Sequence, residues 1–428
     1  MNWRPVSQQS WLRIVLSGRG RNRSSRQVCG RIVGRLAIVG PALFKLPVAE
    51  FKRYQNGGPG APSLRIGSGL RVRKPIRSND QEGRFKLVWK SKMVRPVRAI
   101  VIAVLALLVA FAAAWSSLAL WYRLPLPEVG RQASAILFGL FGAWVIVALF
   151  GRRRFRAVLA FAAAFVIVLF WWSTIKPQAD GAWAPEVARQ VTGEFDGDLL
   201  TLTNVRDFEW RSATDFTERW TTRSYDLNAL KSVDMFMSYW SGPTIAHVIM
   251  SFGFDDGRYL AWSIEVRRLS GGAFSPLADL FKNSPLVILA ADERDVIGLR
   301  ANFRGEDVQI YRLKASPAAA RLLLREYVSD ANALAVTPAF YNSLTTNCTT
   351  TIVKMMRVAG DAVPTDWRLV VNGYLPEYAY DRGALDTSVP LSQLRSAAHI
   401  AARAHDDGLS PNFSQTIRVG VPSPQGAL

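Results

Sequence analysis

Three long uncharged runs stand out in the pattern of apolar and polar positions. They cover residues 99–122, 133–151 and 157–175. At about 1.5 Å per residue, helices of this length cross a hydrocarbon core about 30 Å thick. Trp and Tyr near the ends of the runs are typical of membrane interfaces, which makes burial inside a soluble core the weaker interpretation. We therefore predict three transmembrane helices within residues 93–176.

The pattern changes to shorter β-rich and amphipathic runs in residues 177–428. Residues 244–254 and 258–268 flank an Asp-Asp-Gly sequence, which predicts a β-hairpin. Residues 293–314 predict a second pair of strands, and residues 316–334 predict a helix that begins with a Ser cap and a Pro. Because strands flanked by helices do not alternate as βαβ units, we expect an α+β domain.

Basic residues flank the apolar runs unequally. The sequence KSKMVRPVR precedes the first run and RRRFR joins the second to the third, whereas the loop between the first two carries two Arg and one Glu. The positive-inside rule then places the N-terminus in the cytoplasm and residues 176–428 in the periplasm of a bacterial inner-membrane protein. A cleavable signal peptide at residues 99–122 is the weaker alternative, because two further spans follow it.

Residues 1–92 form a basic leader rich in Arg, Gly and Ser. Met93 comes directly before the first apolar run, as at the ordinary start of a bacterial membrane protein. We interpret the leader as a disordered tail or a start-site artefact, and a basic arm on anionic lipid is the alternative. Mass spectrometry of the native N-terminus tests whether translation starts near Met93, because peptides from residues 1–92 would exclude that start.

The net charge of +20 belongs to the leader and the loops. Residues 1–98 carry 22 Lys and Arg against 3 acidic residues, whereas residues 177–428 carry 24 against 29. This mildly acidic balance argues against nucleic acid as a partner of the C-terminal domain. The 2 cysteines and 3 histidines are too few for a usual zinc site, and the sequence has no P-loop or dinucleotide fingerprint, so we predict no metal and no cofactor. Cys29 and Cys348 lie too far apart to indicate a disulfide framework.

Cys348 is the candidate nucleophile. In the sequence NCTTTIVKMMRVAG, Asn347 can cap a helix whose first turn holds Cys348 and whose end is marked by Gly360. Free backbone N–H groups and the helix dipole favour a thiolate there. A free Cys is more commonly a small buried hydrophobic residue. Because this thiol has no partner in an oxidising compartment, a role as catalytic nucleophile is a strong alternative.

A nucleophilic Cys needs a base, and His247 lies on the first strand of the predicted hairpin. With a three-residue turn, counting outward from the turn pairs His247 with Glu265, whose carboxylate could orient the imidazole. A two-residue turn would instead pair it with Val266. His399 and His405 lie in a polar segment and are predicted to be surface residues.

The blocks YWSGPTIAHVIMSFGFDDGRYLAWSIEVRR and PAFYNSLTTNCTTTIVKMM resemble the two signature blocks of the Lnb N-terminal periplasmic domain family. The resemblance covers roughly residues 190–400. This family is similar to permuted papain-like (NlpC-like) cysteine enzymes, in which the His strand precedes the Cys helix. The resemblance implies thiolate attack on an acyl carbonyl and transfer to water or an amine. One related enzyme is a lipoprotein N-acyltransferase, although this chain departs from it in having three N-terminal spans.

We therefore expect a membrane-anchored periplasmic thiol enzyme with catalytic Cys348, His247 and Glu265. Its partners would be membrane lipid and lipoproteins or peptidoglycan. A cell-wall cysteine amidase or peptidase and a non-catalytic envelope scaffold remain alternatives. The Cys348 backbone N–H and a side-chain amide would bind the oxyanion. Asn342 and Asn347 are candidates for the oxyanion or the cleft. Arg223, Tyr225 and Trp240 are candidates for lining the cleft, with ordinary fold stabilisation as the alternative. Arg267 and Arg268 are candidates for contact with phosphate head groups, with a solvated strand end as the alternative.

Overall fold

The computed structural model describes residues 79–358 and 362–424, with side chains from residue 96. Three helices come first, α1 (Asn79–Arg123), α2 (Glu128–Ala148) and α3 (Arg154–Thr174). Each contains a stretch long and apolar enough to cross a membrane, as the uncharged runs predict. Helix α1 begins inside the predicted leader, and residues 1–78 of that leader lie outside the described residues.

An α+β domain follows, built on one mixed sheet of eight strands. The order across the sheet is β1, β2, β9, β8, β7, β6, β10, with β5 also paired to β2. All described pairs in this sheet are antiparallel except β2 with β9. A separate hairpin joins β3 to β4. The strands are β1 (Thr192–Asp196), β2 (Leu199–Arg206), β3 (Glu209–Trp210), β4 (Phe216–Thr217), β5 (Trp220–Asp226), β6 (Leu230–Tyr239), β7 (His247–Phe254), β8 (Tyr259–Val266), β9 (Leu286–Ala291) and β10 (Asp307–Arg312).

Helices cover both faces of the sheet. One face packs against α6 and α7 around the buried Trp262 and Tyr327, and the other packs against α5, α10 and α11 around Phe236 and Ile249. Buried side chains therefore alternate between the two layers along β7 and β8. The helices of this domain are α4 (Pro276–Asp279), α5 (Glu293–Gly298), α6 (Pro317–Val336), α7 (Cys348–Val358), α8 (Leu375–Asp381), α9 (Leu391–Ala398), α10 (Ala401–Asp407) and α11 (Phe413–Thr416).

Two local predictions have opposite outcomes. Helix α6 begins where the pattern predicts, with the Ser316 hydroxyl accepting from the Ala319 N–H. The predicted strand pair at 293–314 is wrong in its first half, which forms α5 and the π-helical turn Leu299–Phe303. The physical reason is the cap, because the Asp292 carboxylate accepts from the Arg294 N–H and starts a helix there. The second half forms β10, which pairs with β6.

Candidate active site

The β7–β8 hairpin sets His247 opposite Glu265. The strands pair with Ile249 facing Ser263, and the same register carried two residues further brings His247 to Glu265. Residues 255–257 form the three-residue turn that the sequence predicts, closed by a hydrogen bond between the residues on either side of it. Opposed residues of an antiparallel pair share a face, so the imidazole and the carboxylate meet at the open end of the hairpin.

A chain of polar contacts fixes the imidazole. His247 Nε2 lies 3.1 Å from Glu265 Oε1 and 2.8 Å from Ser263 Oγ. The Ser263 hydroxyl donates to the same carboxylate oxygen at 2.7 Å. Arg300 Nη2 donates to it from the other side at 2.9 Å. Glu265 is therefore held as an anion that orients the His247 ring.

Arg300 reaches this carboxylate from the π-helical turn after α5. It is buried, and its Nη1 donates to Glu306 at 3.2 Å, while Glu306 also accepts from the Ser238 hydroxyl. Single π-helical turns are rare and often occur at functional sites. The sequence pattern does not indicate a role for Arg300, because it predicts a strand for this segment. Its only sequence signal is the Asp292 cap that starts the helix.

Cys348 is the first residue of α7, as the sequence predicts. The Asn347 side-chain oxygen accepts from the backbone N–H groups of Thr349 and Thr350 at 3.0 and 2.9 Å, which makes Asn347 the N-cap. The Cys348 residue is 5% exposed and lines the same cleft as His247. It makes no disulfide among the described residues. The helix start, the imidazole and the thiol thus converge at one point.

The environment shifts all three ionisable groups toward their charged forms. Burial raises the pKa of the Cys348 thiol, but the hydrogen bond and charge of His247 outweigh it, and the net shift is downward. Burial also lowers the pKa of His247, yet the Glu265 carboxylate raises it to about 9. Burial opposes ionisation of Glu265 as well, but His247 and Arg300 hold the pKa of its carboxyl well below its usual range. The geometry therefore favours a thiolate–imidazolium pair.

Asn372 is a site residue that no sequence motif indicates. Its amide donates to the Ala246 carbonyl and to Thr349 Oγ1, both at 2.7 Å, and lies 4.0 Å from Cys348 Sγ. Its carbonyl oxygen accepts from the Ala246 N–H at 2.9 Å. Asn372 therefore ties the entry of β7 to the start of α7. The sequence signal is Gly373 beside it, where a Cβ atom would lie 2.0 Å from the Pro243 carbonyl oxygen.

These residues border an open cleft of about 390 Å³. Trp240 lines it and is 48% exposed, which fits its predicted place at the cleft. Asn347 lines it too, but its amide donates to the Ser343 carbonyl, so the side chain caps the helix and does not offer an oxyanion donor. Apolar and charged groups mix on the other walls, which include Ile245, Ile264, Val266, Arg268, Phe274, Pro276, Arg304, Tyr341, Leu369 and Val370.

Arg223 and Tyr225 do not line the cleft. Both lie on β5, which pairs only with β2 at the far side of the sheet. Arg223 donates to Asp207 at 2.7 Å and to Asp292 at 3.0 Å. Tyr225 is fully buried in the core. Tyr225 stacks on Phe254, at the end of β7 away from His247, so neither residue reaches the catalytic end of that strand.

Arg267 and Asn342 also have other roles than those expected. Arg267 Nη2 donates to the Ala188 carbonyl at 2.6 Å, and the guanidinium lies over the Trp183 ring. Asn342 lies outside the cleft lining, where its oxygen accepts from the Leu344 backbone N–H at 3.0 Å and its amide donates to the Leu280 carbonyl at 3.4 Å. Both side chains stabilise loops beside the cleft.

The two remaining histidines are exposed, as the sequence predicts. His399 Nδ1 lies 2.6 Å from an Asp307 carboxylate oxygen, and His405 lies on α10 at the surface. Among the residues that the structure describes, no group of three or more His, Cys, Asp or Glu is placed to hold a metal ion.

We expect Cys348 to react with iodoacetamide at a pH below the value of about 8.5 at which a free thiol ionises. The lowered thiol pKa keeps the sulfur anionic above that pKa, and the raised pKa keeps His247 cationic up to about 9. The alkylation rate in a Cys29→Ser protein should therefore reach a plateau between these limits. Peptide mass spectrometry from pH 4 to pH 10 measures it. A single rise centred near or above pH 8.5 would contradict the ion pair.

One family model matches the part of the chain that contains this site. Residues 216–373 match the model of the Lnb N-terminal periplasmic domain, a range that contains His247, Glu265, Cys348 and Asn372. Comparisons with curated proteins and with solved structures give no match. The three apolar helices and this match fit an inner-membrane protein with a periplasmic domain. Residues 216–373 are thus similar to the Lnb N-terminal periplasmic domain, as the two sequence blocks predict.

Proposed function

We propose that this protein is a membrane-anchored thiol enzyme that forms an acyl intermediate on Cys348 and acts on lipid-linked substrates. The observation that carries the proposal is that Cys348, at the start of a helix, lines one open cleft together with His247 and Glu265, which contact each other at 3.1 Å. A buried structural cysteine has no need of an imidazole that is itself held by a carboxylate. The His strand before the Cys helix supports a permuted papain-like arrangement.

The reaction would run in two transfers. The Cys348 thiolate attacks the acyl carbonyl carbon, and the leaving alkoxide takes the proton of the His247 imidazolium as its bond to the acyl carbon breaks. Water or an amine then attacks the thioester, His247 accepts the proton, and the thiolate departs. Because Nε2 is held by Glu265, Nδ1 is the ring nitrogen left for the sulfur. The Cys348 backbone N–H, which has no acceptor within the first helical turn, would donate to the oxyanion.

An apolar cavity favours an acyl substrate over a peptide. It measures about 450 Å³ and shares Thr349 and Leu369 with the catalytic cleft. This volume is within the range of small-molecule sites. Its walls come from the sheet and from α6, α7 and α8, with charged groups only at Lys314 and Arg382, and are mainly formed by Val233, Met235, Val248, Met250, Leu313, Leu323, Ile352, Val353, Met356 and Leu375. A hydrocarbon chain fits such a lining.

The proposed topology puts the cleft on the side where such substrates lie. The Arg-rich loop between α2 and α3 would be cytoplasmic, which directs α3 outward into the α+β domain. The N-terminus would then be cytoplasmic and the cleft periplasmic. Cysteine-scanning accessibility of single thiols at residues 128 and 153 in intact cells tests this, because only the first should react with an impermeant maleimide.

The test of function is a comparison of substrates in proteoliposomes. The purified protein would be offered phospholipid, a diacylglyceryl peptide or a cell-wall peptide, and the released products identified by mass spectrometry. Release of a lyso-lipid or a transferred acyl chain by wild type and not by the Cys348→Ala protein supports the proposal. Cleavage of the cell-wall peptide alone points to an amidase. Turnover of none of the three, with a Cys348→Ala strain unchanged in phenotype, points to a scaffold.

Filling the apolar cavity should shorten the preferred acyl chain. Val353 lines the cavity from α7, and Val353→Trp would displace several methylene groups. At about 0.8 kcal/mol per methylene, the exclusion of four of them costs about 3 kcal/mol, or roughly 100-fold in kcat/KM for a long chain. The measurement is turnover of acyl thioesters of graded length.

The matched control for this variant is Leu322→Trp on α6, a side chain that is 48% exposed and outside the cavity lining. It should leave the chain-length profile unchanged. An equal loss for short and long chains in Val353→Trp would show that the cavity does not hold the acyl chain.

A further inference from the structure

The segment between β8 and β9 contacts the outer ends of the membrane helices. The Phe281 ring stacks on Tyr122 near the end of α1, with 5.6 Å between centroids, and meets Trp172 near the end of α3 at 6.3 Å. Lys282 Nζ donates to the Trp172 carbonyl at 2.8 Å. Tyr and Trp at helix ends mark the level of the lipid headgroups. Phe281 and Lys282 therefore lie at the membrane surface.

The end of the β7–β8 hairpin that carries His247 and Glu265 lies on the same side of the domain as Phe281 and Lys282. Strand β8 runs from the turn at residues 255–257 to Val266, beside the cleft, and the next residue donates its backbone N–H to the Pro285 carbonyl. Pro285 is only three residues beyond Lys282 in the chain. The turn at the other end of β8 is about 26 Å away, at roughly 3.3 Å per residue. The cleft is therefore at the membrane-proximal end of the domain.

Large apolar side chains are exposed between the cleft and the helix ends. Leu277 is 48% exposed and lies on α4, four residues before Phe281. Phe274 is 44% exposed and Leu344 is 58% exposed. The two loops that carry them are joined by a hydrogen bond of 2.9 Å from the Ser343 hydroxyl to the Pro276 carbonyl. We call Phe274, Leu277 and Leu344 the apolar rim.

The apolar rim borders the catalytic cleft directly. Phe274 and Pro276 from one loop, and Tyr341 and Ser343 from the other, line the same cavity as Cys348. The Phe274 ring packs edge-on against Tyr341 with 6.5 Å between centroids. An exposed apolar group next to a polar cleft marks an interaction surface, and its continuity with the helix ends identifies the partner as the bilayer.

We propose that the apolar rim inserts into the outer leaflet of the membrane, so that a lipid substrate enters the catalytic cleft sideways from the bilayer. This route rests on the proposed function, whereas the insertion of the rim is measurable without catalysis. On insertion, the apolar side chains would contact lipid acyl chains in place of water. The substrate would not have to cross the aqueous phase.

Depth measurements with a nitroxide label test the insertion. Leu344→Cys and Leu277→Cys would be made in the full chain with Cys29→Ser and Cys348→Ser, labelled and reconstituted in phosphatidylglycerol–phosphatidylcholine vesicles. The control is Val419→Cys, which is 67% exposed and lies near Gln415, whose side chain contacts the far turn at Gly257. We expect a several-fold higher ratio of oxygen to nickel-chelate accessibility at positions 344 and 277. Ratios equal to that at position 419 would overturn the proposal.

A second measurement separates this proposal from the proposed function. Leu277→Asp and Leu344→Asp should each lower turnover of vesicle-embedded phospholipid about tenfold or more. Each variant loses the insertion of about three methylene groups, and this loss exceeds the 1.4 kcal/mol that corresponds to a factor of ten. Both should keep wild-type turnover of a water-soluble short-chain acyl thioester. Equal turnover of the vesicle substrate by variant and wild type would overturn lateral entry. If wild type turns over neither substrate while the labels report insertion, the proposed enzyme function is wrong, but the membrane insertion of the apolar rim is confirmed.

Discussion

Replacement of Cys348 by serine should reduce acyl transfer by on the order of 10⁴-fold or more, the scale seen when a covalent nucleophile is removed. The hydroxyl of serine is a far weaker acid than the thiol, and the shifts that stabilise a thiolate at this site do not bring it to an alkoxide near neutral pH. The substitution is close to isosteric, so Asn372 and His247 should keep their places. Single-turnover release of the leaving group measures the loss.

The matched control is Cys29→Ser, which changes the other cysteine of the chain. It should retain wild-type turnover. Thermal unfolding of both variants checks that the fold is kept. Activity of the Cys348→Ser protein within about tenfold of wild type would contradict a covalent mechanism.

Replacement of His247 by alanine should lower turnover by about 10³- to 10⁴-fold. Two effects combine, because the variant loses both the proton carrier and the cation that lowers the pKa of the Cys348 thiol. The alkylation plateau at neutral pH should disappear, and reaction with iodoacetamide should require a higher pH than in wild type. A role in packing alone would not move the pH profile of the thiol.

His399→Ala is the control for this variant, since it removes an exposed imidazole that is also paired with a carboxylate. It should leave both turnover and the alkylation profile unchanged. If His247→Ala kept the neutral-pH plateau, another cation would have to stabilise the thiolate and His247 would not be the base.

The local elements of the site follow from the sequence because short-range rules determine them. The Asp-Gly turn sets the hairpin register, and the register alone brings His247 to Glu265. Asn347 caps α7 because its side chain reaches N–H groups two and three residues ahead. The three apolar helices follow from length and hydropathy.

The other contributors depend on how distant segments meet, which a single sequence does not reveal. Asn372 acts at Cys348 from 24 residues away, because Gly373 lets its loop approach the entry of β7. Arg300 arrives on a π-helical turn that the pattern mistakes for a strand. Chain proximity predicts Arg223 and Tyr225 near the cleft, but β5 pairs with β2, and Tyr225 stacks on Phe254 at the turn end of the hairpin, away from His247.

The most direct test of the central claim is to trap the intermediate and locate it. The protein in proteoliposomes would be quenched in acid after a brief exposure to a phospholipid with an alkyne-tagged acyl chain, digested and mapped by mass spectrometry. We expect the acyl mass on the peptide that contains Cys348, removable by neutral hydroxylamine as a thioester is. An acyl adduct at another residue, or no adduct under conditions where the lipid is consumed, would contradict the account.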